Sequence, residues 1–367
     1  MDRFYIDRYI RHQSIHWFNQ EELFRKNVLI VGMGAIGNEL LKNMVLLGIG
    51  NITIIDFDKI EIHNLTRSVL FREEDIGKYK VQVAKERAKE LNPDPRIKIQ
   101  TFNDDFYQIV SLSFLEQFDV VFSAVDNFEA RIRLHRLCFL NKVDFINAGI
   151  DSQYVNVEYF PYSNSNSKNH HLACFECNLS DKVYQNINKR YSCGWIEKTA
   201  INQKKIPTTI ITSSIAASFM LSCFLRRDEF VDPTKIFIDT IHPNITKANL
   251  QKNQDCYFCS NWGNTQQKSW KEFLKGIQNL KDEITFFLNE PILISLRCEV
   301  CNKTELIWDL SRKFKDKDLV CHACKNNRQP EVRDYIYKNE IQYIENLSFK
   351  YLYYFMNNLT VLVKKDD

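Results

Sequence analysis

Short apolar runs alternate with segments of helical period along the first 150 residues. Residues 28–31, VLIV, carry no polar side chain and read as a strand buried on both faces. Further runs at 52–56, 97–102, 120–123 and 145–148 predict more strands. Between them, residues 38–47, 80–91 and 128–141 carry the three- and four-residue apolar spacing of helices. This alternation predicts a doubly wound, Rossmann-like α/β domain. Residues 1–26 read as helical and basic, and 162–171 as a polar loop. The apolar segment 210–225, preceded by Pro207 and candidate threonine caps, reads as a buried helix. The polar stretch SNWGNTQQ, 260–267, marks a boundary, which places one domain at 1–263 and a second at 268–367. The second is expected to hold a short helix, a cysteine ribbon and an aromatic-rich tail.

The first predicted strand runs directly into GMGAIG, which sets Gly32, Gly34 and Gly37 in a Gly-x-Gly-x-x-Gly pattern. Such a loop turns tightly and lets backbone N–H groups approach a phosphate beside a helix N-terminus. The second strand ends at Asp56 and Asp58, about where an acid would meet a ribose hydroxyl. The loop alone is compatible with NAD, FAD, S-adenosylmethionine or ATP.

Composition narrows the setting. The chain has 367 residues, 44% hydrophobic and 26% charged, enough for two or three domains with a substantial core. A formal net charge of +3 is close to neutral, so nothing demands a nucleic-acid or membrane surface. The charged start, MDRFYIDRYIRHQ, lacks the apolar centre of a signal peptide, and 210–225 is short for a bilayer. A cytoplasmic protein is expected.

Eight of the eleven cysteines form four Cys-x-x-Cys pairs, 174/177, 256/259, 298/301 and 321/324. In a large cytosolic chain that pattern reads as metal binding rather than as a disulfide framework. Cys298, Cys301, Cys321 and Cys324, with 19 residues between the pairs, have the spacing of a zinc ribbon. Joining Cys174 and Cys177 to Cys256 and Cys259 requires a return across nearly 80 residues, which spacing alone does not establish. Cys138 and Cys223 fall in apolar helical patterns and read as core. Cys193, in KRYSCGW, sits in a polar, aromatic setting.

A dehydrogenase needs a proton-handling group, and none of the eight histidines sits in a context that marks it as one. The residues after the second strand are more distinctive. Asn64, Arg67 and Lys80 offer an amide, a forked cation and a point charge, and Asp126 with Asn127 ends a later strand. Open α/β sheets bind ligands at those strand ends.

Taken in order, RYIRH, the glycine loop, DFDKIEIHNLTR, GKYKV, AVDN and the first two cysteine pairs resemble the ubiquitin-activating enzyme superfamily. The likeness is to its ThiF-type adenylyltransferases and runs from about Arg8 to Cys259. The resemblance implies a ThiF-type adenylation domain in which Gly32, Gly34 and Gly37 approach the ATP phosphates and Asp56 holds the ribose. It implies phosphate contacts by Asn64, Arg67 and Lys80, and Mg²⁺ on Asp126. It places Arg11 across a homodimer at the partner's triphosphate, and Zn²⁺ on Cys174, Cys177, Cys256 and Cys259. With the ribbon, that makes two zinc sites. Cys193 lies where family members often carry an acyl-accepting cysteine, with Lys189 and Arg190 upstream to favour thiolate. SCGWIEKTAINQKKIPTT is longer than the usual small-residue run there.

The implied reaction is adenylation of the C-terminal carboxylate of a ubiquitin-like or sulfur-carrier protein. Thioester formation on Cys193 and transfer to a conjugating enzyme or acceptor would follow. Each residue also has a plain structural role to set against this. Arg67 and Arg11 could be surface charges, Lys80 a solvated helix start, and Asp56 and Asp126 helix caps. One rival function is adenylation of a ribosomal peptide, for which a recognition domain ahead of the glycine loop is expected; the 27-residue lead is short for one. Another is a non-catalytic scaffold that binds a ubiquitin-like protein, which would not need to keep Arg67, Lys80 and Asp126.

Overall fold

The structure is a computed structural model that describes residues 8–164, 172–180, 183, 208–256, 258–260, 264–314, 316–349, 351–356 and 359–365. Described residues within Met1–Phe175 and Ile206–Lys252 form one compact unit, and those within Glu176–Lys205 and Asn253–Asp367 another.

The first unit is built on β1 (Asn27–Val31), β2 (Asn51–Ile55), β3 (Lys98–Phe102), β4 (Val120–Ser123) and β5 (Asp144–Ile150). They pair in parallel in the order β3-β2-β1-β4-β5. These are the five strands expected from the apolar runs, with ends moved by one or two residues. Val28–Val31 and Ile52–Ile55 are buried throughout, because helices cover both sheet faces. Helices α1 (Ala35–Leu47), α2 (Lys80–Leu91) and α3 (Phe128–Asn141) match the predicted segments, although α1 starts three residues earlier. Gly48, at φ 82°, closes α1 with its N–H on the Met44 and Val45 carbonyls.

Three strands absent from the sequence reading extend this sheet. β6 (Tyr154–Phe160), β7 (Thr234–Asp239) and β8 (Asn244–Asn249) continue it antiparallel from β5. The helix α4 (Ile210–Leu225) forms as expected, with Thr209 as N-cap accepting from the Thr212 amide at 3.2 Å. It packs on α1, β5 and β6. No described helix is long and apolar enough to cross a membrane. The expected basic helix before β1 appears as two short helices, Ile10–Gln13 and Gln20–Arg25.

The second unit holds a sheet in which β9 (Asn264–Ser269), β10 (Thr285–Cys298), β11 (Thr304–Leu310), β12 (Arg328–Tyr337), β13 (Tyr351–Met356) and β14 (Leu359–Lys364) pair. Its larger core sets an aromatic group among aliphatic side chains: Trp270 and Phe273 on the short helix α5 (Trp270–Gly276) meet Phe286, Phe349 and Tyr354. A second, smaller cluster joins Leu293, Leu296, Leu319 and Val332, with Ile307 and Phe314 packed against them.

Candidate nucleotide site and cysteine centres

The chain order reverses between β1 and β4, and the glycine loop leaves the sheet there. Gly32 has φ +97°, in the left-handed region, and its N–H donates to the Ile55 carbonyl at 2.9 Å. A Cβ on Gly32 would lie 2.6 Å from the Ala124 oxygen, so the β1 and β4 loops touch backbone to backbone. A Cβ on Gly37 would overlap the Gly32 carbonyl oxygen, which forces the helix start against the loop. Gly34 differs. It is the N-cap of α1, and a Cβ added there meets nothing within 4 Å among the described residues. The N-terminus of a 13-residue helix therefore opens onto free space beside the loop.

Asp56 caps no helix. Its carboxylate accepts from the Met33 amide at 2.6 Å and the Asp58 amide at 2.7 Å, fastening the end of β2 to the glycine loop. Burial pushes its pKa above the ordinary carboxylate value, with nearby Lys80 pulling the other way. Lys80 is not a solvated helix start: it is buried, and Nζ lies 2.6 Å from Asp58 Oδ2. The Lys80 amide also donates to the Asp58 carbonyl at 3.0 Å, so main chain and side chain hold the same contact. Asp56, Asp58, Lys80 and the loop thus form one cluster.

Asn64 is buried in the turn Ile62–Asn64, its Oδ1 accepting from the Glu61 amide at 2.9 Å. Arg67 follows, half-buried, with its amide on the Asn64 carbonyl at 3.1 Å and Nη1 on the His63 carbonyl at 2.6 Å. Asp126 is exposed just beyond β4. The cap of α3 is Asn127, whose Oδ1 accepts from the Ala130 amide at 2.8 Å, while its Nδ2 reaches Asp126 Oδ1 at 3.3 Å. That division leaves most of the Asp126 carboxylate to solvent, which suits Mg²⁺, a cation held by one or two carboxylates plus phosphate and water. Arg11 is exposed on the helix Ile10–Gln13. Cys193 lies outside the described residues.

Two residues of this region escaped the sequence reading. Arg131 sends Nη2 to the Val125 carbonyl at 2.8 Å and Nη1 to Asn147 Oδ1 at 2.9 Å and the Ala148 carbonyl at 2.7 Å. It braces the turn before Asp126 against β5. Burial lowers its pKa, offset by Glu158 and Asp126. Asn38, fully buried in α1, bonds the Met33 and Gly34 carbonyls and the Leu70 amide. The only sequence signal for either is a polar residue on an otherwise apolar helix face.

The four cysteine pairs make two tetrads. The sulfurs of Cys174, Cys177, Cys256 and Cys259 lie within 4.8 Å of one another, as do those of Cys298, Cys301, Cys321 and Cys324. Cys177 and Cys259 are 3.3 Å apart, Cys298 and Cys324 3.3 Å, and Cys301 and Cys321 3.6 Å. A disulfide needs about 2.05 Å. Tetrahedral zinc with sulfurs at about 2.3 Å would set them roughly 3.8 Å apart, so both tetrads fit zinc after a slight expansion. In the ribbon, Asn302 and Lys325 each follow the second cysteine of a pair at φ 56° and 61°. The two knuckles are therefore closed the same way, with the Cys298 amide on the Lys303 carbonyl and the Cys321 amide on the Asn326 carbonyl. Cys138 and Cys223 are buried as expected, and burial raises both thiol pKa values, Cys223 to about 12.

Sheet order, switch point and glycine loop define a Rossmann-like α/β domain. The chain belongs to the ThiF family, which matches residues 6–258. Among curated proteins it is 27% identical over 278 residues to ubiquitin-like modifier-activating enzyme 5 of Drosophila virilis, covering 72% of this chain and 66% of that one. It is 39% identical over 157 residues to SUMO-activating enzyme subunit 2 of Dictyostelium discoideum, covering 41% of this chain and 22% of that protein. The chain thus spans less than two thirds of the length of these relatives. Among solved structures it is similar to E. coli MccB with ATP, at TM-score 0.53 and 24% identity over 69% of this chain and 74% of that one. It is also similar to PaaA, at TM-score 0.51 and 19% identity over 69% and 76%. These two likenesses concern the fold.

Proposed function

We propose that this protein adenylates the C-terminal carboxylate of a ubiquitin-like or sulfur-carrier protein at the expense of ATP. The observation that carries the reading is the cluster of glycine loop, Asp56, Asp58 and Lys80 at the switch point, with Asp126 at the end of the neighbouring strand. Membership of the ThiF family and likeness to modifier-activating enzymes support it.

In this reading ATP lies with its phosphates over the open side of Gly34 and its ribose toward Asp56 and Asp58. The incoming carboxylate, with a pKa of roughly 3.5, is already ionised and needs no general base. One of its oxygens attacks the α-phosphorus, the bond to the bridging oxygen breaks, and pyrophosphate leaves with the electron pair. The obstacle is an anion approaching a polyanion. Lys80 and Arg67, Arg11 from the second subunit of a homodimer, and the α1 N-terminus offset that repulsion and the charge on the leaving group. Mg²⁺ on Asp126 would neutralise phosphate charge when bound. The two zinc sites are structural, and a cytoplasmic setting keeps their thiols reduced. Transfer to Cys193 is a separable second step: its thiolate attacks the acyl carbon and AMP leaves, giving a thioester that a conjugating enzyme or other acceptor could take.

The test is ATP–pyrophosphate exchange with a panel of carrier proteins, each supplied with a free and with an amidated C-terminus, beside short carboxylate-terminated peptides. Exchange with a free-tailed carrier, none with its amide, and a loss of ~10² in Asp126→Ala are expected. Exchange with peptides alone would move the substrate to the ribosomal-peptide class. Exchange undiminished in Asp126→Ala would overturn the magnesium assignment.

A further inference from the structure

The phosphate-facing loop and the turn that carries Arg67 are separated by about thirty residues of sequence, and one side chain links them. Asn38 is fully buried at the start of α1. Its Nδ2 donates to the Met33 and Gly34 carbonyls, both at 3.0 Å, and its Oδ1 accepts from the Leu70 amide at 3.1 Å. An amide has two N–H donors and a carbonyl acceptor, and here all are engaged. Met33 is the residue whose own amide binds Asp56. Leu70 lies three residues beyond Arg67, in a segment continued by the Arg67 amide on the Asn64 carbonyl and the Phe71 amide on the Ser68 carbonyl. Neither a hydroxyl nor a carboxylate could replace this link. Serine can bond back to the carbonyl four residues earlier but is too short to span to Leu70. Aspartate would set a negative oxygen against two carbonyl oxygens.

We propose that Asn38 is a positioning residue that locks the glycine loop to the Arg67 turn, so that the loop amides and the Arg67 guanidinium meet a nucleotide as one preformed unit. The inference rests on the nucleotide reading of this cleft. Lys80, anchored on Asp58, lies outside the link.

The test is a double-mutant cycle on the full-length, zinc-loaded protein with ATP dissociation constants as readout, accompanied by hydrogen exchange without nucleotide. Asn38→Ser should keep α1 intact and weaken ATP about tenfold, the worth of one good buried hydrogen bond. Arg67→Ala added to Asn38→Ser should then cost much less than in the wild type, whereas Lys80→Met should keep its full effect in both backgrounds. A merely structural Asn38 would lower the melting temperature and leave the Asn38 and Arg67 effects multiplicative; that result overturns the proposal. Hydrogen exchange decides the link independently. Faster exchange across 64–71 in Asn38→Ser, with 35–47 still protected, supports it; unchanged exchange across 64–71 refutes it. Should the wild type fail to bind ATP, the nucleotide reading falls and the exchange result still judges the link. Should Asn38→Ser not fold, Asn38→Gln, which keeps the amide on a longer stem, should restore protection if the amide is what matters.

Discussion

The glycine loop and the ribbon of β10–β12 each hold a tight backbone turn, by opposite means. Around the loop, the turn rests on an extensive apolar core in which Val28, Ile30, Ile52, Ile54, Val120 and Phe122 on one face of the sheet meet α1, α2 and α4, and polar groups pin its backbone: Asp56 on Met33, Asn38 on Gly34, Arg131 on Val125. Among the described residues, the knuckle end of the ribbon has only the small cluster of Leu293, Leu296, Leu319 and Val332 beside it, and two left-handed knuckles. Its turns converge on sulfur. A cluster that small cannot by itself offset the entropy of ordering the two knuckles, so a bound metal would supply most of the difference. In the loop, by contrast, packing and these bonds fix the backbone, and what stays open for a ligand under the proposed function is the helix end at Gly34 and the exposed Asp126 carboxylate.

The largest expected effect breaks the comparison on the ribbon side. Structural zinc contributes about 10 kcal/mol or more in isolated finger peptides. Cys321→Ser, or zinc removal by a chelator, should expose the amides of β11 and β12 to rapid hydrogen exchange while β1–β5 stay protected. Equal protection with and without metal would show that the ribbon core suffices. On the other side, Lys80→Met should leave the melting temperature nearly unchanged and lower pyrophosphate exchange by ~10², on the order of 3 kcal/mol in the barrier. A stability loss matching the activity loss would mean that Lys80 serves the fold. Next comes Gly37→Ala, whose methyl runs into the Gly32 carbonyl. It should cost about 1–3 kcal/mol of stability in thermal or urea unfolding, because the loop must shift to admit it. The smallest effect concerns Asp56, whose folded-state pKa is raised by burial. Its ionised form is disfavoured in the fold, a cost complete above the folded pKa and absent below the unfolded value of about 3.9. Asp56→Asn should therefore melt slightly higher than the wild type at pH 7, and the gap should narrow toward pH 4. A gap constant with pH would place the effect in the hydrogen bonds alone.

Much of the parallel half was legible because strands covered on both faces write themselves as unbroken apolar runs, as 28–31 and 120–122 do. The helices announced themselves by spacing and, at Thr209, by a cap. The antiparallel extension did not. In β6 the polar positions Asn156 and Glu158 interrupt the pattern, and Glu158 is nevertheless buried, accepting from Asn147 at 2.9 Å. β8, NITKAN, is exposed at every position, and its apolar residues Ile245 and Ala248 make no alternating pattern. Asp56, Asp58 and Lys80 could be named from their order along the chain, but their mutual contacts could not. Asn38 and Arg131 stayed hidden because their partners, Leu70 and Ala148, are supplied by tertiary structure. The ribbon was legible from cysteine spacing alone, since a tetrahedral ion dictates ligand number and reach.

The central claim is that positive groups at one strand-end cleft hold a triphosphate for attack by a carboxylate. A crystal structure with a non-hydrolysable ATP analogue and Mg²⁺ tests it most directly. The account predicts phosphate oxygens within hydrogen-bonding distance of Lys80 Nζ, the Arg67 guanidinium and the amides around Gly34, with the ribose at Asp56. A triphosphate bound elsewhere, with Lys80 still seated on Asp58 and Arg67 on the His63 carbonyl, would contradict it.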